Sequence, residues 1–180
     1  MSLLSRFQDV FLVEKTQEDL EAVSADLCTV LKLALTDFDA MREREGERLC
    51  RDVLDRAATI EGLTKQVADR APGIVADYRA RLWSKMSEVL QNTQLDESRI
   101  LTEAAIYADK VAVDEELVRL HSHLSQLRHM LSEGGAVGRK LDFLIQEFNR
   151  EANTIGSKCN DIETAGYVVH IKAEIEKIRE

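Results

Sequence analysis

Residues 134–161 concentrate the side chains that could do chemistry. At about 100° of rotation per residue along a helix, Leu141, Leu144, Ile145, Phe148, Ala152 and Ile155 share one face, which reads as core. Asp142, Gln146, Asn149 and Asn153 stack on a second face with Arg139 and Arg150 beside them, and Lys140, Glu147, Glu151 and Thr154 form a third strip. Asparagine in mid-helix costs on the order of half a kcal/mol relative to alanine. A helix that needed only solubility would carry Glu and Lys there. Carboxamides aligned between a carboxylate and guanidiniums can hydrogen-bond a ligand backbone. Arg139, Lys140, Arg150 and Lys158 can neutralise phosphates, arginine matching the phosphate fork better than lysine. The competing reading is a polar network between helices that fixes their register.

Glu147 and Glu151 stand at i, i+4 and could share a divalent ion, with Glu103 and Asp142 the other carboxylates of interest. A histidine such as His123 could act as a general acid or base. His121 lies two residues away on a different helix face, so the two histidines make no chelate. No HExxH, P-loop, GxSxG or zinc-ligand spacing is present, and no motif suggests an organic cofactor.

The elements that must position these groups are helices. The chain has 180 residues, one proline, 44% apolar residues and 32% charged residues, which excludes a turn-rich β-sandwich or barrel and predicts an all-α fold of long antiparallel helices. A net charge of −9 argues against a generic nucleic-acid coat. The longest apolar runs are too short for a membrane span. Cys28, Cys50 and Cys159 are too scattered for a disulfide framework and read as reduced thiols. With no secretory signal pattern, the expected location is cytoplasmic.

Residues 1–15 read as a short apolar leading segment. Thr16 looks like an N-cap, with Asp19 in a capping-box position. Leu20, Val23, Leu27, Leu31, Phe38 and Met41 begin a stripe at helical spacing that resumes at Leu49, Val53, Ala57, Ile60, Leu63 and Val67. This predicts one helix over about 17–70. Pro72 is expected to end it and open another carrying Val75, Tyr78, Leu82, Met86 and Val89, so that 16–92 forms a long hairpin. A polar connector follows at 91–94. Asp96 and Asp114 are expected to cap two further helices, the second with a coiled-coil-like seam of Leu117, Leu120, Leu124, Leu127 and Leu131 closed by Gly134 and Gly135. A helix over about 137–154, a break at 155–157 and a last helix from about 160 complete a helical bundle over 95–180.

The stretch 138–158 (GRKLDFLIQEFNREANTIGSK) resembles the signature of the YicC/YloC family of bacterial stress-associated endoribonucleases. Matches at 41–46 (MREREG), 95–99 (LDESR), 119–124 (RLHSHL) and 171–179 (IKAEIEKIR) agree with it. The resemblance covers most of the chain from about residue 7. Members of that family usually open with a Met-Thr-Gly-Tyr-Gly-like motif and a mixed α/β segment, which are not seen here. The chain is therefore expected to correspond to the helical later part, with 1–15 a remnant of the α/β part. The resemblance implies cleavage of RNA phosphodiester bonds and a homo-oligomer, expected to be a hexamer. The reaction is expected to be metal-assisted by Mg²⁺ or Mn²⁺ held by Glu147, Glu151 and Glu103, with Glu147, Glu151, His123 and Asp142 catalytic. Arg139, Lys140, Gln146, Asn149, Arg150, Asn153 and Lys158 are expected to hold the RNA. Metal-free cleavage by His or Lys with the 2′-OH as nucleophile fits the same residues. The competing function is a non-catalytic helical scaffold whose amide row sets the register of an oligomer.

Overall fold

A computed structural model describes residues 19–90 and 97–180. Among the described residues there are five helices and no strand: α1 Leu20–Leu90, α2 Glu97–Val111, α3 Asp114–Glu133, α4 Gly138–Lys158 and α5 Ile162–Arg179. The all-α expectation holds. None of the helices among the described residues is long and apolar enough to cross a membrane. The leading segment, the Thr16 cap, the 91–94 connector and the Asp96 cap lie outside the described residues. Asp19 itself caps α1, its carboxylate accepting from the amides of Glu21 (3.1 Å) and Ala22 (3.3 Å).

The helix boundaries depart from expectation in three places. There is no hairpin turn at Pro72: α1 runs through it. An interior proline costs a helix about 3 kcal/mol, but Val67 and Ile74 on either side are both buried, and their packing holds the helix together. The break expected at 155–157 is absent as well, because α4 continues to Lys158. Gly156 is there for close approach: a Cβ at this position would meet Val168 Cγ1 at 3.2 Å, so the missing side chain lets α5 pack against α4. Asp114 is the first residue of α3 and not its cap; Val113 holds the cap position without a side-chain hydrogen bond. At the far end of α3, Gly134 and Gly135 take φ of +71° and +83°, a region open to glycine at little cost.

The chain divides into two compact units, one up to Glu47 and one from Arg48 on. In the first, the α1 stripe of Leu20, Val23, Leu27, Val30, Leu31, Leu35, Phe38 and Met41 is exposed along its whole length. In the second, one core joins α1, α3, α4 and α5. Ala57, Ile60 and Val67 from α1 meet Leu120, Leu124 and Leu127 from α3, Leu144, Phe148, Ala152 and Ile155 from α4, and Val168, Ile171 and Ile175 from α5. The leucine seam of α3 thus packs within the chain, with Leu131 only half-buried at its end. Asp161 caps α5, accepting from the Thr164 amide at 3.0 Å and the Thr164 hydroxyl at 2.9 Å. These anchors leave α3 and α4 packed side by side, each with one flank still free to carry polar groups.

Candidate active site

Those polar flanks face each other. On α3, Glu116, Arg119 and His123 follow at i, i+3 and i+7, and on α4, Glu147, Glu151 and Lys158 follow at i, i+4 and i+11, so each set falls on one stripe of its helix. Where the stripes meet, the ligand atoms of His123, Glu147 and Glu151 all lie within 4.8 Å of one another. Glu151 is 1% exposed and Glu116 is 3% exposed, burial that a carboxylate tolerates only with partners.

The partners are cations from both helices. Arg119 donates from Nε to Glu151 (2.9 Å) and from Nη2 to Glu116 (2.8 Å), and reaches the exposed Glu115 at 3.3 Å. Lys158 Nζ lies 3.1 and 3.2 Å from the two oxygens of Glu116. Arg150 Nη2 bridges Glu147 Oε2 at 3.0 Å and Glu151 Oε1 at 3.2 Å. The network therefore runs from Lys158 through Glu116, Arg119 and Glu151 to Arg150 and Glu147. Burial works to raise the Glu116 carboxyl, but the Lys158 hydrogen bond and the charges of Lys158 and Arg119 outweigh it and hold the group below the usual carboxylate range. Arg119 is raised above its ordinary value, first by its hydrogen bond to Glu151 and against the opposing effect of burial.

His123 stands apart from this network. Its ring leans on Phe148 with centroids 6.2 Å apart at 40°. Its Nε2 is buried and has no hydrogen-bond partner among the described residues. A buried nitrogen left unpaired is costly, and a metal ion taken by that nitrogen would relieve the cost. One imidazole and two carboxylates suit a divalent transition metal such as Mn²⁺ better than Mg²⁺, which prefers oxygen ligands and retained waters. The residues present fit such an ion.

The structure gathers some of the expected site residues and separates others. Glu147, Glu151 and His123 come together, and Arg150 and Lys158 join them through ion pairs. Glu103 is exposed on α2 and has no place in the cluster. Asp142, Gln146 and Asn149 lie on the other flank of α4, where with Ile145 and Arg179 they line a separate cavity of about 370 Å³. Arg139, Lys140 and Asn153 are exposed. Sequence reasoning missed Glu116 and Arg119. Arg119 opens the 119–124 stretch, and Glu116 precedes it by three residues, the spacing of a helical ion pair, which was the available signal.

Comparison with known proteins bears on this arrangement. A family model described as "Endoribonuclease YicC-like, C-terminal" matches residues 67–180, and one described as its N-terminal region matches residues 1–51. The chain is 39% identical over 178 residues to the probable endoribonuclease YicC of Clostridioides difficile, covering 98% of this chain and 61% of that protein. It is 40% identical over 169 residues to the probable endoribonuclease YicC of Haemophilus influenzae, covering 94% of this chain and 58% of that protein. The chain thus spans about three fifths of the length of these relatives.

Proposed function

The chain belongs to the YicC-like endoribonuclease family, and from that premise we propose that it cleaves RNA phosphodiester bonds at the α3–α4 cluster of His123, Glu147 and Glu151. The observation that carries this reading is the convergence of three ligand-type side chains within 4.8 Å, one of them holding a buried nitrogen with no partner among the described residues. A divalent cation at this cluster supplies charge stabilisation at the phosphate and an activated water.

The chain's own residues do the rest. His123, Glu147 and Glu151 hold the cation. Arg119 fixes the Glu151 carboxylate through its Nε, and Glu116 fixes Arg119 in turn, a hydrogen-bonded shell of the kind that sets ligand orientation. Phe148 sets the tilt of the His123 ring. Arg150 reaches solvent with 62% of its side chain exposed, so it can meet a phosphate beside the carboxylates. Arg139, Lys140 and Asn153 offer further contacts to the RNA backbone on the solvent side of α4. Asp142, Gln146 and Asn149 present carboxylate and carboxamide groups to an unpaired nucleotide in the cavity on the far flank. Asp142 serves there as a binding group and not at the reacting phosphate.

The network closes within one chain, between α3 and α4. Its charges are satisfied without a second copy. Assembly into a homo-oligomer, a hexamer by the family resemblance, belongs to the same proposal, with the exposed α1 stripe from Leu20 to Met41 as a surface for it. A cytoplasmic location is supported by three cysteines that are all unpaired.

The test is metal dependence, with the protein at its full natural length. Cleavage of a 5′-labelled single-stranded RNA is expected to disappear in EDTA and to return on adding Mn²⁺, with Mg²⁺ less effective. Cleavage that proceeds unchanged in EDTA would overturn the metal-assisted reading.

A further inference from the structure

Arg150 sits where a cation would sit. One nitrogen of its guanidinium, Nη2, lies 3.0 Å from Glu147 Oε2 and 3.2 Å from Glu151 Oε1. These are the two carboxylates that converge with His123. The other arginine of the site behaves differently. Arg119 approaches Glu151 through the opposite oxygen, Oε2, and is tied at its other nitrogens to Glu115 and Glu116. Arg119 is thus locked in place, whereas Arg150 has no further side-chain partner among the described residues and is 62% exposed.

We infer that Arg150 is an exchangeable place-holder: it neutralises Glu147 and Glu151 while the site is empty, gives way when a divalent cation binds, and is then free to hold an RNA phosphate. The inference rests on the metal-assisted reading above. Two positive charges compete for one pair of carboxylates, so the guanidinium must weaken cation binding. Once released, the same guanidinium, 62% exposed, can turn to a phosphate bound beside the two carboxylates, and its planar fork suits that group. The exchange links the two ligands. The cation strengthens RNA binding by freeing Arg150, and by reciprocity RNA strengthens cation binding. Free protein therefore keeps its carboxylates neutralised, and the full site assembles when cation and RNA are both present.

The experiment is a calorimetric titration of Mn²⁺ into wild type, Arg150→Ala and Arg150→Lys. Arg150→Ala should bind Mn²⁺ more tightly than wild type, on the order of tenfold, and Arg150→Lys should stay near wild type because it keeps the competing charge. In parallel, Mn²⁺ should strengthen binding of a 2′-O-methyl oligoribonucleotide to wild type, and Arg150→Ala should lose most of that gain. Measurable Mn²⁺ binding that is equal or weaker in Arg150→Ala would overturn the exchange and leave the metal site standing. Absence of Mn²⁺ binding in both wild type and Arg150→Ala would overturn the metal reading and the exchange together.

Discussion

Glu151→Gln is expected to slow RNA cleavage by about 10²–10³-fold, the scale on which removal of one preorganised electrostatic contact slows an enzyme. The substitution keeps the shape of a side chain that is only 1% exposed and removes only its charge. Glu151 is the one residue that joins both arms of the site: Arg119 at 2.9 Å on one oxygen and Arg150 at 3.2 Å on the other, with His123 and Glu147 beside it. An amide there offers a cation a weaker ligand and loosens Arg119. The fold should survive, because Arg119 keeps Glu116 and Glu115. Cleavage rates on single-stranded RNA, with a thermal melt beside them, check this. A variant that cleaves within a factor of about three of wild type, well below that scale, would remove Glu151 from the reaction.

Phe148→Ala is expected to lower the stability of the unit from Arg48 on by about 3–5 kcal/mol. The ring is 0% exposed and belongs to the same core cluster as Leu120, Leu124, Leu144 and Ile171, to which α1 also contributes. Removing it deletes buried apolar area and leaves a cavity that rigid helices close only in part. For a protein with a total stability of roughly 5–15 kcal/mol, that is a large share. The same ring supports His123, so cleavage should also fall at temperatures where the variant remains folded. Urea denaturation followed by circular dichroism gives the number. A loss below about 1 kcal/mol, less than a typical buried-ring truncation, would contradict the described packing.

Helices were legible in the sequence because a buried stripe at 3-4 spacing is hard to mimic, and the α3 leucines from Leu117 to Leu127 are indeed buried. Helix ends were less so. Pro72 and Gly156 are breakers by local propensity, yet both lie inside helices, since what overrides them is packing against other elements, as with Gly156 of α4 and Val168 of α5. The site divides in the same way. The i, i+4 spacing of Glu147 and Glu151 is visible within α4, and the matched stretch drew attention to His123. That these three meet depends on how α3 and α4 pair, which no local pattern encodes. Glu116 and Arg119 look like ordinary solvated helix charges until Lys158 and Glu151 are seen against them. The amide row and the arginines read as one surface, but the helix splits them. Arg150 turns toward the carboxylates, and Gln146 and Asn149 face a cavity shared with Arg179.

The most direct test is to soak crystals of the protein in Mn²⁺ and collect data that reveal the ion by its anomalous scattering. The account predicts a peak among His123, Glu147 and Glu151. Well-diffracting, Mn²⁺-soaked crystals with no peak at those three side chains, from a protein whose RNA cleavage nonetheless requires Mn²⁺, would contradict it.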